Sequence, residues 1–284
     1  MKVYIYPNFD KNNAYETTVN AVEILSNMNF GIYMDSIYKE KIVSNKIIFS
    51  DFESFVSEID IIIVIGGDGT LLKASKFSAK YDKPLLGINT GKLGFMASIE
   101  KDDLNKLKLL STGEYKVNKR NMLKICVNNS EEVNEYIALN DAVLSRMPIS
   151  DLPEFSILSN SKEVSKIRAD GIIFSTPTGS TAYALSAGGP IIEPDISCIE
   201  VTQICAHSLF SRPMIFSPDK KLSVKIKTAD VDEISLLVDG CTVGSLNSHS
   251  EITISVSELY TKIIDINDSA FYKAIDEKLM TPIK

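Results

Sequence analysis

Five consecutive residues, Gly66-Gly67-Asp68-Gly69-Thr70, carry the strongest chemical signal in this 284-residue chain. The apolar run "IDIIIVI" (59–65) stops at two glycines, and a helical pattern begins at once beyond Asp68, Gly69 and Thr70. Glycine lets backbone approach a ligand closely and reach positive φ. The first N–H groups of a helix have no partner inside it, and the helix dipole favours an anion there. Strand, glycine turn and helix start therefore predict a phosphate cradle, in which Gly67, Gly69 and Thr70 supply backbone approach and N–H donors. The spacing is neither G-x-G-x-x-G nor G-x-x-x-x-G-K-[ST]. Asp68 is the odd member. A carboxylate beside phosphate is repelled unless it holds a metal ion or takes a proton from a nucleophile, and both jobs occur in phosphoryl transfer. The alternative is an aspartate that caps the following helix. Leu72, one turn in, lines either a pocket or the core, and Lys73 is either a phosphate partner or a solvated helix lysine.

Three further stretches gather polar groups. "GINTGKLGF" (87–95) follows a strand-like run, and ligands collect at strand ends in open α/β sheets. There Asn89, Gly91 and Gly94 shape a loop, and Phe95 either covers a nucleotide or packs. In "ALNDAVLS" (138–145), Asn140 and Asp141 end a strand-like run. An amide can read a base edge and a carboxylate can take two ribose hydroxyls, while a simple turn is the other reading. "STPTGSTAYALSAGG" (175–189) predicts a strand end, a turn and a helix over about 179–187, capped by Thr178 or Ser180 and ended by Gly188, Gly189 and Pro190. Hydroxyls crowd the mouth of that helix, which suits a carboxamide or a ribose.

The elements that must position these groups fall into two textures. Up to about residue 110, short apolar runs alternate with helical patterns: strands at 2–6, 31–34, 59–65 and 83–88, and helices at 10–29, 69–80 and 101–110. Such alternation argues for an α/β layer with a parallel sheet, and the all-apolar run at 59–65 for a strand covered on both faces. From about residue 113 strand-like runs follow at short intervals, at 114–129, 134–145, 153–160, 162–167, 171–177, 213–216, 222–228, 234–238 and 251–256. A last helical pattern, 268–280, starts at Asp268 or Ser269 and sets Phe271, Ala274, Ile275 and Leu279 on one face.

Composition narrows the function. Net charge is −7 with a pI near 5.1, which speaks against nucleic acid or an anionic membrane as partner. There are four arginines, and Arg146, Arg168 and Arg212 fall among the motifs. Cys126, Cys198, Cys205 and Cys241 form no C-x-x-C pair, and with only His207 and His249 a zinc site has little material. His207 reads as a satisfied structural histidine and His249 takes no role. No apolar run approaches the ~18 residues of a membrane span, and the N-terminus carries no signal-peptide pattern, so a cytoplasmic protein with reduced thiols is expected.

These motifs together resemble the NAD kinase family. "GGDGT" by itself is shared with lipid and sphingoid kinases. "GINTGKLGF", "ALNDAVLS", "ADGIIFSTPTGSTAYALSAGGPII" (169–192) and "AHSLFSRP" (206–213) resemble further NAD kinase motifs in the family's order, over roughly residues 1–270. Asp141 stands where the family usually has Glu, Ala206 where it has Pro, and Cys241 where a glutamine often contacts ligand. The resemblance implies a Rossmann-like α/β domain (1–115 plus 265–284) and a β-rich, sandwich-like domain that binds NAD (116–264), the last helix returning to the first domain. It implies phosphorylation of the 2′-hydroxyl of the adenosine ribose of NAD by ATP and Mg²⁺, with Asp68 as general base. Mg²⁺ would be held through substrate phosphates rather than a protein cage. Asn140 and Asp141 would grip a ribose, and Thr178, Thr181, Ala182, Tyr183 and Ser186 would line the NAD site. Arg168 and Asp170 would complete its nicotinamide end, near the subunit interface of a homodimer or homotetramer. The competing readings are a lipid or sphingoid kinase, expected to carry an acyl groove, and a catalytically silent dinucleotide sensor.

Overall fold

The computed structural model describes residues 1–91, 94–129, 132–147, 151–208, 210–228, 234–266 and 270–280. Two compact units result, 1–119 with 261–284, and 120–260. Neither boundary falls at a linker, because both lie inside long strands.

The first unit is a parallel sheet with helices. Strands β1 (Lys2–Pro7), β2 (Gly31–Asp35), β3 (Ile47–Ser50), β4 (Ile61–Gly66) and β5 (Leu85–Asn89) lie in the order β3-β2-β1-β4-β5. Every neighbouring pair is parallel. A short β6 (Ile99–Glu100) also pairs with β5. The side chains of β4 are buried throughout, as its unbroken apolar run requires of a strand covered on both faces. Val3 and Ile5 pack with Ala21, Val22 and Leu25 of helix α1 (Ala14–Asn27) on one face of the sheet. On the other, Tyr4, Ile62 and Val64 meet Phe52 and Phe55 of α2 (Phe52–Phe55) and Leu71 and Ala74 of α3 (Asp68–Tyr81). Strand order reverses between β1 and β4, and in such sheets ligands bind at the carboxyl ends beside that reversal. The glycine turn, Asn8 and Asn89 all lie at such ends.

The second unit is antiparallel. It contains β7 (Lys116–Asn129), β8 (Glu132–Ala138), β9 (Asp141–Arg146), β10 (Glu154–Ser159), β11 (Lys162–Arg168) and β12 (Gly171–Ser175). Then follow β13 (Ile199–Ile204), β14 (Met214–Phe216), β15 (Leu222–Lys227), β16 (Ile234–Val238), β17 (Cys241–Leu246) and β18 (Glu251–Asp265). One sheet runs β14-β13-β12-β9-β16-β17; the other places β11-β10-β15-β18 in sequence, with the β7–β8 pair attached to β18. Phe155 and Ile157 from one sheet and Ile172, Phe174, Ile199 and Leu236 from the other belong to one apolar core, so the two layers close a sandwich. The last residues of β18 belong to the first unit, where Ile263 pairs with Leu85.

Several expected elements differ. The run 134–145 is two strands, because the chain turns at Leu139 and Asn140; Asp141 opens β9 instead of ending a strand. No continuous helix spans 179–187. A 3₁₀ turn (Gly179–Thr181) and one α turn (Tyr183–Ser186) are separated by Ala182, whose φ of −102° and ψ of −123° break the helical path. Residues 101–108 are 3₁₀ before one α turn at Leu109–Thr112. The expected 251–256 strand extends to Asp265. Strands β13 (IEVTQI) and β17 (CTVGSL) carry polar residues that mask their pattern, and β3 (IIFS) is only four residues long. The last pattern forms an α turn (Ala270–Ile275) passing into π-helix (Asp276–Met280). Asp268 and Ser269 lie outside the described residues.

Packing between β5 and its neighbours is close enough to dictate a residue. A Cβ on Gly87 would lie 2.6 Å from Leu71 Cδ1 and 2.9 Å from the Ala97 backbone. Gly87→Ala is expected to lower the stability of the fold by about 1–3 kcal/mol, the usual cost of overpacking. Urea denaturation beside the parent protein measures this, and an unchanged midpoint would show that the layer has slack.

Candidate active site

In the first unit the turn is built around Asp68. It is the first residue of α3, after Gly67 as N-cap. Its side chain reaches the loop beyond β5. Oδ2 accepts the Phe95 N–H at 2.9 Å and Oδ1 the Met96 N–H at 3.2 Å. Gly94 makes room for this, since a Cβ there would stand 2.3 Å from Oδ1. These two backbone bonds fix the position of the Asp68 carboxylate.

The glycines divide into two kinds. A Cβ on Gly66 would strike Thr70 Oγ1 at 2.4 Å, so packing demands that glycine. Thr70 is buried and accepts from Asn8 Nδ2 at 3.1 Å, which ties the turn to the end of β1. At Gly67, Gly69 and Gly91 an added Cβ meets nothing within 4 Å. Gly67 has φ −117° and ψ −175°, a conformation open to any residue. Neither backbone geometry nor packing within the chain calls for glycine there, whereas a ligand close to the main chain would. Leu72 is half-buried on α3 and Lys73 exposed.

Asn89 is buried and already engaged. Its Oδ1 accepts the Gly91 N–H at 3.2 Å, and its Nδ2 donates to Glu100 at 3.0 Å. Burial pushes the Glu100 carboxyl upward, partly offset by that bond. Asn89 therefore shapes the loop that carries Phe95, which is half-buried. Lys92 and Leu93 lie outside the described residues.

In the second unit Asn140, Asp141 and the 176–181 turn interlock. The Asn140 carbonyl accepts the Thr176 N–H at 2.9 Å and the Ser175 hydroxyl at 3.2 Å. A Cβ on Gly179 would lie 2.2 Å from that carbonyl oxygen, so glycine is required for the approach. The turn is capped neither by Thr178 nor by Ser180. Thr176 Oγ1 accepts the Gly179 N–H at 3.1 Å, and the Ser180 hydroxyl is buried between Pro177 and Ile192. The expected caps fail because the helix is only a short turn, whose first N–H groups are met from the preceding strand end. Thr181 and Ala182 are half-buried, while Tyr183 and Ser186 are exposed. The Asn140 Oδ1 atom is buried and has no hydrogen-bond partner among the described residues.

Asp239 organises this cluster and carried no role in the sequence reading. With Gly240 it forms the two-residue turn between β16 and β17, at φ 50° and 74°. Its carboxylate accepts the N–H groups of Leu139 at 3.1 Å, Asn140 at 2.8 Å and Asp141 at 3.3 Å. The Asp-Gly hairpin pair was the available signal.

Arg168 is exposed on the wall of a cavity of about 530 Å³, with Gln203, His207 and Arg212 among its neighbours. His207 is thus an exposed cavity residue, not the satisfied structural histidine its sequence setting suggests; its backbone N–H is tied to the Arg168 carbonyl at 2.8 Å, and among the described residues its side chain has no hydrogen-bond partner. Asp170 is held by Arg146, whose Nε donates to it at 2.7 Å. Leu209 lies outside the described residues. Among the described residues no three His, Cys, Asp or Glu side chains converge as a metal site.

Burial first, and the neighbouring Asp239 charge second, push the Asp141 carboxyl up to about 7. A carboxyl that holds its proton more tightly when folded favours the folded state at low pH. That contribution is complete below the unfolded value near pH 4 and is lost as pH rises through about 7. Between about pH 5 and 7, stability should fall by up to about 1.4 kcal/mol per unit from this group. Asp141→Asn should flatten that part of the profile, as measured by denaturant unfolding at several pH values; parallel profiles would assign the slope elsewhere.

Comparison with known proteins gives these features a common origin. Residues 3–115 match the ATP-NAD kinase N-terminal domain and residues 139–266 the ATP-NAD kinase C-terminal domain. The NAD kinase of Natranaerobius thermophilus is 36% identical over 280 residues, 98% of this chain and 97% of that protein. Yeast NADH kinase, solved in complex with NADH, superposes with a TM-score of 0.89 at 24% identity, covering 100% of this chain and 89% of the other. An NAD kinase from Archaeoglobus fulgidus, solved in complex with ATP, superposes with a TM-score of 0.70 at 25% identity over 97% of each chain. The chain belongs to the ATP-NAD kinase family and is an NAD kinase.

Proposed function

We propose that the enzyme transfers the γ-phosphoryl group of ATP to the 2′-hydroxyl of the adenosine ribose of NAD, giving NADP and ADP, with Asp68 as the general base. The carrying observation is the carboxylate fixed by Phe95 and Met96 beside two glycines that packing leaves open. Held in this way, Asp68 loses little freedom on meeting the hydroxyl and takes its proton as the new O–P bond forms. Gly67, Gly69 and Thr70 then offer main chain to the phosphates at the start of α3. ATP as donor is supported by the ATP complex of the Archaeoglobus relative. In this reading Mg²⁺ enters with the substrate phosphates, and no step is assigned through it.

Asn140 and Asp141 take the base edge and the ribose hydroxyls. The unpartnered Asn140 oxygen supplies an acceptor for an amino group. Asp141 is shorter by one methylene than the usual glutamate, and Asp239 compensates by fixing the backbone it projects from. Thr178, Thr181, Ala182, Tyr183 and Ser186 line the dinucleotide site, and Arg168 and Asp170 serve its nicotinamide end. The same reading puts the enzyme in the cytoplasm, where its four free cysteines stay reduced, as a homodimer or homotetramer.

NADP formation from NAD, ATP and Mg²⁺ by the purified protein tests the reaction. Asp68→Asn should lower kcat by about 10²–10⁴-fold, the share of a general base. Undiminished turnover would remove that role, NAD binding without NADP would indicate a sensor, and no NAD binding would point to lipid substrates. Gly67→Ala separates ligand approach from folding. Its unfolding midpoint should stay within about 0.5 kcal/mol of the parent, while KM for ATP rises at least about tenfold, since a methyl group occupies space the phosphates need. A KM equal to the parent's would show that no ligand approaches that main chain.

A further inference from the structure

A cavity of about 780 Å³ lies on the α2/α3 side of the parallel sheet, at residues other than those of the glycine turn. Its walls are aromatic: Tyr4 and Tyr6 of β1, Tyr38, Phe52 of α2 and Phe77 of α3. These rings brace one another, Tyr4 against Phe52 at 4.7 Å, Phe52 against Phe77 at 5.2 Å and Tyr6 against Phe77 at 6.1 Å between centroids. Asp35, Asp51 and Glu53 add three carboxylates, and no Lys or Arg belongs to the wall. Glu53 is met by Lys80 at 3.4 Å from outside. Asp35 accepts the Ile37 N–H and Asp51 the Ser36 hydroxyl, and neither has an ion pair among the described residues.

Tyr4 marks this as more than an acidic surface. Its side chain is 3% exposed and forms part of the cavity wall, and its hydroxyl, without a hydrogen-bond partner among the described residues, is open to the cavity and not sealed in the core. The hydroxyls of Tyr6 and Tyr38 are likewise unengaged there. Burial foremost pushes all three phenols upward, with Asp35 adding to it at each and neighbouring tyrosines at Tyr4 and Tyr38, so they stay neutral and offer oxygen lone pairs.

We propose that this cavity binds a linear aliphatic polyamine, its ammonium groups on Asp35, Asp51 and the Tyr4 hydroxyl and its alkyl segments on the aromatic rings. Ring faces attract a cation, carboxylates and phenol oxygens accept ammonium N–H bonds, and the volume exceeds what a single small cation fills. The proposal is independent of the assignment of the kinase reaction.

The chain contains no tryptophan, and three of its 11 tyrosines line the cavity, so a change in tyrosine fluorescence accompanies binding there, with calorimetry giving the stoichiometry. Titration with spermidine, by fluorescence and by calorimetry, should give saturable binding at one site. Asp35→Asn keeps an acceptor for the Ile37 N–H and should weaken binding about ten- to a hundredfold, as expected for loss of a charge-assisted bond. Tyr4→Phe preserves the ring contacts and should weaken it about three- to tenfold. Glu258→Gln, an exposed carboxylate of the other unit, should leave affinity unchanged. Non-saturable binding, equal losses in Glu258→Gln and Asp35→Asn, or equal affinity for tetramethylammonium, which lacks N–H donors, would each overturn the proposal.

Discussion

The carboxylate of Asp68 makes two hydrogen bonds to backbone N–H groups 27 and 28 residues further along the chain, and most of the first unit is arranged so that they can form. They need β4 and β5 side by side, so that the turn after one strand faces the loop after the other. They need Gly94, because any side chain there would occupy the carboxylate's place. They need Asn89 to hold the β5 loop, which it does through Gly91 and Glu100. Thr70 and Asn8 then fix the other side of the turn to β1. One short acidic side chain thus joins three strand ends, and the energy of holding it is distributed over backbone bonds that exist before substrate arrives.

The second unit follows the same logic with a different carboxylate. Asp239 sits in a two-residue hairpin turn and binds three successive N–H groups at the break between β8 and β9. Without it, that break would expose donors beside a partly buried amide. The electrostatic consequence is a raised Asp141, placed beside a carboxylate of the same sign and largely out of water. A group in that condition gains from a ligand hydroxyl that satisfies it, which is the property a ribose-gripping residue needs.

The parallel unit was the more legible part of the sequence. The strand at 59–65 is apolar at every position because both its faces are covered, and glycines at its end mark where chain direction must change. The glycine turn itself was legible as a candidate phosphate site, but which glycines serve the fold was not: Gly66 and Gly94 are demanded by Thr70 and Asp68, contacts made only after distant residues meet. The segment 179–187 misled for a related reason. Its composition is helical, yet the tight contact of Gly179 with the Asn140 carbonyl fixes its start, and Ala182 breaks the path before a second turn can form. Asp239 was visible as a hairpin residue, but its three partners lie about a hundred residues earlier. Local pattern specifies the element, and long-range hydrogen bonds specify the site.

This division bears on how a catalytic aspartate is distinguished from a capping one. Both follow a glycine and open a helix, and at the level of residue type they are the same. A capping carboxylate accepts from its own helix, two or three positions on, and its removal costs about 0.5–2 kcal/mol of stability. Asp68 reaches a different loop, bonding the N–H groups of Phe95 and Met96, which a helix needing only a cap has no reason to do. The open space at Gly67 and Gly69 points the same way, because a purely structural turn would tolerate alanine at Gly67, in extended geometry, and at Gly69, inside α3. A carboxylate bonded to a distant loop and glycines that packing leaves open are together what the proposed reading requires, room for an anion next to a fixed proton acceptor.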